Sequence, residues 1–345
     1  MAKKKPGKSV VKRVSKQLKS VSDKIILSPS KSKNAKTSLL SWAQKYFKEK
    51  VDGSPSGTIR AKKRDLTIFL NFYLKEIGHD HVDNWTPAVS KHFRTRQQKT
   101  RPKKGGNPYA ATTVNRTLAT IRHFARWLQK NRPLVCGDPF DNVKDIDVEP
   151  PAWNGWTDQQ VMRLKSACEQ RIKICSKETQ NPLLEAAVFY TILNTGLRAF
   201  EISVLNVGQY HHRGLHKVKG KGNREDAKVP VPSEAREFID RYLETRKKTK
   251  PSDPLFITRY GNRIATQDIA RIFKRLSEQA SAHLPENQKF VVTPHGGRHT
   301  FLKRMADKYG IHFAQRVSRN RSVREVFRYA QPSDEEIMEK VENAM

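Results

Sequence analysis

The chain has 345 residues, enough for two domains that each bury a core. Lys and Arg number 67 against 34 Asp and Glu, a formal net charge of +33, well past what solubility needs. Such an excess points to a polyanionic partner, nucleic acid ahead of a membrane surface. No run of 18 apolar residues occurs, and no apolar stretch follows the basic N-terminus, so neither a membrane span nor a signal peptide is expected. The sparse cysteines, Cys136, Cys168 and Cys175, form no CxxC or His–Cys spacing, which argues against structural zinc and fits a reducing cytoplasm.

Residues 1–36 hold 12 Lys or Arg against a single Asp23 and lack hydrophobic periodicity. They read as a disordered basic arm that either tracks phosphates or only keeps the chain soluble. From Thr37 the pattern turns helical. Leu39, Leu40, Trp42, Ala43, Tyr46 and Phe47 recur at helical spacing, and a second helix after Gly53-Ser54-Pro55 aligns Leu66, Phe69, Leu70 and Tyr73. A weaker helix lies around Pro87–Gln97. Thr112 or Thr113 is expected to cap a fourth, with Val114, Leu118, Ile121, Ala125 and Leu128 inward. Residues 37–132 therefore predict a small all-helical domain. Its cations Arg60, Lys62, Lys63 and Arg64, the loop pair Lys103 and Lys104, and Asn115, Arg116 and Arg122 are candidate DNA contacts. Any one of them alone reads more simply as a solvated helix face.

Asp138-Pro139 and Glu149-Pro150-Pro151 make 133–156 a linker too proline-rich for regular structure. Thr157 is an N-cap before Val161, Leu164 and Ala167, and Leu183–Leu193 reads as a buried helix ended by Gly196. His216–Val218 and Lys228–Val231, separated by the polar run Gly220–Asp226, predict a hairpin. Ser233 is expected to cap a helix bearing Phe238, Ile239, Tyr242 and Leu243, and further helices follow Thr266 and Pro294. Ser333 and Glu336 form a capping box before a short acidic helix with Ile337, Met338 and Val341 on one stripe. Such a helix is marginal alone and would dock on its own domain or on a neighbour. The fold class is mainly α with a small β-sheet.

The chemistry concentrates late in the chain. Arg198 lies in Thr195-Gly196-Leu197-Arg198-Ala199-Phe200-Glu201, His295 and Arg298 in His295-Gly296-Gly297-Arg298-His299-Thr300, and Tyr329 in Phe327-Arg328-Tyr329. A phosphodiester calls for this set. Two guanidiniums can hold its non-bridging oxygens, a histidine can move a proton, and a tyrosine can attack phosphorus. A metal could neutralise the same charge, but no carboxylate cluster of metal-binding character is visible, and neither a metal nor a cofactor is expected. Glu201 falls on the same helical face as Arg198 and would orient it. His299, next to Arg298, is expected to point elsewhere and support the core. Tyr309, before Gly310, is a weaker rival nucleophile.

These two motifs, T-G-L-R-x-x-E-I and H-x-x-R-H-T, resemble those of the tyrosine recombinases, the phage-integrase and Xer-like enzymes that cut and rejoin DNA. The resemblance runs from about Thr37 to Gln331. It implies a helical core-binding domain (37–132, SAM-like) and a mixed α/β catalytic domain (157–332) clamping duplex DNA. It also implies a 3′-phosphotyrosine at Tyr329, strand exchange through a four-way junction by four protomers, and exchange of the 333–345 helix between neighbours. Gly220-Lys221-Gly222-Asn223-Arg224 before Val229-Pro230 is similar to the family's hairpin lysine motif, which makes Lys221 the general acid and Lys219 the runner-up. The expected setting is a cytoplasmic, nucleoid-associated integrase of a phage, plasmid or other mobile element, with no membrane or small-molecule partner.

Departures from the pattern bear on activity. The position nine residues before the tyrosine, usually His or Trp after Leu-Gly, is Asn320 after Ser318-Arg319. Asparagine can still donate to a phosphate oxygen but cannot act as an imidazole. Gly296 and Gly297 stand where bulkier residues are usual, which is expected to loosen that helix. Two alternatives stay open: a catalytically weak or inactive DNA-binding derivative, and a type IB topoisomerase-like relaxation of DNA by a monomer.

Overall fold

The computed structural model describes residues 36–101, 106–149, 155–175, 180–220, 225–246, 248–319, 326–327, 337–338 and 341–344. The basic arm, Lys103, Lys104, Lys221, Asn320, Tyr329 and the Ser333 capping box lie outside the described residues. Internal contacts divide the chain into two units, Met1–Pro150 and Pro151–Met345. The described elements are mostly helical, with one small antiparallel sheet, as the pattern of the sequence predicts.

The first unit contains α1 (Leu39–Lys50), α2 (Ser56–Ile77), α3 (Pro87–Lys99) and α4 (Ala111–Asn131). Ser38 caps α1 by accepting the Ser41 N–H at 3.1 Å, and Gly78 ends α2 in the left-handed conformation. Contrary to expectation, neither Thr112 nor Thr113 caps α4. The cap is Ala110, without a side-chain bond, and both threonines lie in the first turn. An aromatic cluster forms the core: the Phe69 ring lies 4.8 Å from Trp85 and 5.2 Å from Phe93, and Trp85 lies 5.6 Å from Phe124.

Polar contacts fix this bundle from within. The fully buried Asp65 carboxylate accepts two hydrogen bonds from Arg116, at 2.7 and 2.9 Å, and one from Thr120 at 3.0 Å. The Asn115 amide brackets the Ile146 backbone at 2.7 and 2.9 Å, and Arg122 donates to the Val143 carbonyl at 3.0 Å. Leu134, Phe140 and Val143 are buried against the same core. The proline-rich segment is therefore, as far as Glu149, a strap bound to the helices. Its apolar residues have a core to enter and its backbone has side-chain partners, which composition alone does not reveal. Trp156, at the far end of the expected linker, is a core residue of the second unit.

The second unit comprises α5 (Asp158–Ile174), α6 (Pro182–Thr195), α7 (Ala199–Ser203), β1 (Tyr210–His211), β2 (Gly214–Lys219), β3 (Glu225–Pro230), α8 (Ser233–Glu244), α9 (Thr266–Ala280), α10 (Pro294–Tyr309) and α11 (Ile311–Ser318). Thr157 and Gln160 form a full capping box at α5. Asn181 caps α6, Pro182 occupies its first position and Gly196 terminates it. Every residue from Leu184 to Leu193 is buried, because α5, α8, α9 and α10 all pack on this helix. Trp156 stacks on Phe189 at 5.7 Å and Phe238 on Tyr190 at 4.1 Å. Ser233 begins its helix as the first residue rather than the cap, and Thr266 likewise begins the next. Pro232 and Ala265 hold the cap positions, and Asp268 accepts the Ala265 N–H at 3.0 Å. The strands are ordered β1-β2-β3, with Leu215 opposite Val229 and Lys219 opposite Glu225.

One buried charge anchors this unit. Glu185, 1% exposed, accepts from Arg171 Nε at 2.7 Å and from Arg275 Nε at 2.9 Å, joining α5, α6 and α9. Removing the carboxylate leaves two guanidiniums facing each other without their counter-charge. Glu185→Ala should therefore lower stability by about 3–5 kcal/mol, read as a shift in the urea midpoint. A loss below about 1 kcal/mol, the range of an exposed pair, would contradict this account.

Candidate active site

The turn after α6 carries the first half of the site. Gly196 sits at φ 61°, and a Cβ there would lie 2.4 Å from the Phe301 ring, so conformation and space both demand glycine. The chain then buries Leu197 and presents Arg198 at the N-cap of α7. Glu201, 1% exposed, accepts the Arg198 backbone N–H through Oε2 at 2.8 Å and its guanidinium through Oε1 at 2.9 Å. The Arg198 side chain stays about one-third exposed (34%), so it is oriented without being enclosed.

Helix α10 carries the second half. Thr293 caps it by accepting the Gly296 N–H at 3.2 Å, with Pro294 in the first position. Arg298, 1% exposed, donates to the Gly196 carbonyl and, at 2.6 Å, to the Ser318 carbonyl. These oxygens end α6 and α11, where helical carbonyls lack intrahelical partners. One guanidinium thus ties both helix ends to α10 and couples the two motifs directly.

His295 lies beside both arginines. Burial first, and then the Arg298 and Arg198 charges, hold its imidazole below the ordinary histidine value. His299 does not point elsewhere. Four residues on from His295, it shares that side of α10, the ring centroids 4.4 Å apart. Burial, His295 and Arg298 push it down to about 4.

Gly297 tightens the packing of this helix rather than loosening it. A Cβ on Gly297 would fall 2.5 Å from the Trp156 ring and 2.8 Å from Ile192, so α10 can approach α6 and Trp156 only with glycine there. Thr300 adds a hydrogen bond by accepting the Trp156 N–H at 2.6 Å.

Residue 319, a glycine in the resembling pattern, is the C-cap of α11, and Arg319 adopts the left-handed conformation there at φ 59° and ψ 23°. The turn is kept at a cost of roughly 1–2 kcal/mol for a residue with a Cβ. The Arg319 guanidinium donates to Glu201 Oε2 at 2.8 Å. Sequence reasoning missed this contact. The missing glycine marked the position, but nothing in the spacing linked it to Glu201.

Arg198, Glu201, His295, Arg298 and His299 are thus brought together, while Lys221, Asn320 and Tyr329 lie outside the described residues. Lys219 is exposed at the end of β2. Tyr309, 54% exposed at the end of α10, packs at a tilt against Phe313, the ring centroids 4.8 Å apart. In the first unit Arg60 and Arg64 are exposed and Lys62 is half-buried, whereas Asn115 and Arg116 are engaged with Ile146 and Asp65.

The chain belongs to the phage integrase family, whose model matches residues 156–336. Tyrosine recombinase XerC of Pelobacter propionicus is 32% identical over 134 residues, 38% of this chain and 42% of that protein. The chain thus spans about two fifths of that relative's length. Tyrosine recombinase XerD of Oceanobacillus iheyensis is 26% identical over 262 residues, 74% of this chain and 80% of its own. The fold is shared with Tn1549 transposon integrase in complex with circular intermediate DNA (TM-score 0.66, 19% identity, 88% of this chain and 99% of that one). It is shared also with a lambda integrase dimer bound to a COC' core site (TM-score 0.65, 12% identity, 85% and 95%).

The depressed histidine has a defined pH signature. Unfolded, His299 takes up its proton near pH 6.5; folded, only near 4. Between these values the unfolded chain binds more protons, so stability rises with pH from about 4 to 6.5 and is lost on acidification. Urea midpoints at pH 5 and 7.5 should differ less in His299→Gln than in the wild type. Equal differences would show that His299 is not held neutral.

Proposed function

We propose that this chain is a site-specific DNA recombinase that cuts and rejoins duplex DNA through a 3′-phosphotyrosine at Tyr329. One observation carries the reading: the Arg198 and Arg298 segments meet at the Gly196 turn, beside His295, whose imidazole partial desolvation and both guanidiniums hold below the ordinary histidine value. Charge that accumulates on the non-bridging oxygens of an attacked phosphate would meet these arginines. His295 can accept the Tyr329 proton as the phenolic oxygen attacks phosphorus in line. The bond to the 5′-oxygen breaks, Lys221 supplies its proton, and Asn320 donates to a phosphate oxygen. Attack by a 5′-hydroxyl on the phosphotyrosine reverses the sequence, so rejoining needs no nucleotide.

The relatives are named tyrosine recombinases and integrases, and solved neighbours are complexes with DNA. On that basis residues 37–132 hold one side of the duplex, with Arg60, Lys62, Arg64, Lys103 and Lys104 on phosphates. The arm 1–36 adds salt-dependent affinity. Residues 157–332 carry the chemistry, and four protomers exchange strands, coupled through 333–345.

A second reading, a DNA-binding derivative without turnover, is favoured by Asn320 at the usual imidazole position and by the burial of Arg298 against two carbonyls.

A duplex selected by the protein from random sequence, nicked beside the target so that cleavage is trapped, separates the two. The wild type should form a covalent complex in excess EDTA without nucleotide, and mass spectrometry should locate the linkage on Tyr329. Tyr329→Phe should bind the duplex within about fivefold of the wild type, since one hydroxyl hydrogen bond contributes only about 1 kcal/mol, and should form no complex. Attachment at Tyr309 would overturn the nucleophile, and no attachment at all would favour the derivative.

A further inference from the structure

The Ser318–Arg319 turn touches the site twice. Its Ser318 carbonyl accepts from Arg298, and its Arg319 side chain, 11% exposed, reaches Glu201 Oε2 at 2.8 Å. Glu201 is the carboxylate that orients Arg198. Its Oε1 accepts the Arg198 guanidinium, and its Oε2 accepts both the Arg198 backbone N–H and Arg319. A left-handed C-cap favours glycine, and this chain instead places there the longest cation, bonded across 118 residues of sequence.

Two consequences follow from charge and geometry. Anchored by Arg319 and by the Arg198 backbone, Oε2 is held away from the Arg198 guanidinium, so Glu201 meets that guanidinium through Oε1. The carboxylate's charge is also divided between two guanidiniums rather than spent on one. Sharing Glu201 between Arg198 and Arg319 leaves less of its negative charge on Arg198, and so a more positive potential at its exposed edge than a carboxylate spent on Arg198 alone would leave.

We infer that Arg319 is a positioning residue that shares Glu201 with Arg198 and thereby sets how much of the Arg198 charge, and in what orientation, reaches the scissile phosphate. The inference rests on the recombinase reading above. It assigns to Arg319 a role that a glycine at this position could not fill, and one that offsets the weaker donor at Asn320.

The test uses the full chain with Arg319→Gln, Arg319→Lys and Arg319→Gly. Glycine relieves the positive φ, so a defect in that variant cannot be laid to backbone strain. Two quantities are read: the single-turnover rate of covalent-complex formation at saturating duplex, and the ratio of Kd values for the duplex with and without the phosphate at the cleavage position. Arg319→Gln and Arg319→Gly should both lose at least about tenfold in rate, the loss of one charge-assisted contact, while Kd for the intact duplex changes less than about threefold. Arg319→Lys should recover part of the rate. Preference for the intact phosphate should shrink in the Gln and Gly variants.

Wild-type rate and unchanged phosphate preference in Arg319→Gly would overturn the inference and leave Arg319 a mere strut. A wild type that forms no covalent complex would overturn the recombinase reading instead. The binding ratio would still decide whether Arg319 governs phosphate contact.

Discussion

The Arg298 guanidinium is the interaction on which the rest of this site depends. A buried cation is expensive unless its donors are met, and the ends of helices supply carbonyls with no partner of their own. Arg298 answers both needs by reaching the Gly196 carbonyl at the end of α6 and the Ser318 carbonyl at the end of α11. The turn that presents Arg198 and the turn that presents Arg319 are thereby fixed to the helix that carries His295. Glu201 then extends the same network outward to Arg198, which keeps an exposed edge.

This network needs close approach between helices, and the second unit supplies it by leaving side chains out. Gly196 makes room for Phe301, and Gly297 for Trp156 and Ile192. Trp156 in turn stacks on Phe189 of the buried helix α6 and donates its backbone N–H to Thr300 of α10. The core thus holds α10 against α6 at the level where Arg298 must reach the Gly196 carbonyl. A helix that merely docked by its apolar stripe could slide by a turn; one seated on glycine against an indole cannot.

Much of this was legible in the residues. Hydrophobic spacing gave the helices of both units, and Gly196 marked the end of the buried helix because capping chemistry is local. The arginine motifs were legible because their spacing is specific. Contacts between distant segments were not. Nothing local says that Asn115 grips the Ile146 backbone, or that Arg116 is turned inward to Asp65. An exposed cation and one committed to a buried carboxylate look alike in sequence. The same limit hid Arg319: the absence of glycine suggested a changed turn, whereas the turn is retained and the side chain is used. His299 was misjudged for a simpler reason, since a spacing of four residues on a helix sets it beside His295.

The central claim is that Arg198 faces the negative charge of a phosphate. The most direct measurement replaces the scissile phosphate of the selected duplex by an uncharged methylphosphonate and compares wild type with Arg198→Ala in single-turnover cleavage. If Arg198 stabilises charge on the non-bridging oxygens, its loss should slow cleavage of the ordinary phosphodiester by about 100-fold or more. On the methylphosphonate, which has one non-bridging oxygen and carries one negative charge fewer in the transition state, the defect should fall below about tenfold by the same reasoning. An equal defect on both substrates would contradict the account and leave Arg198 a residue of the fold rather than of the chemistry.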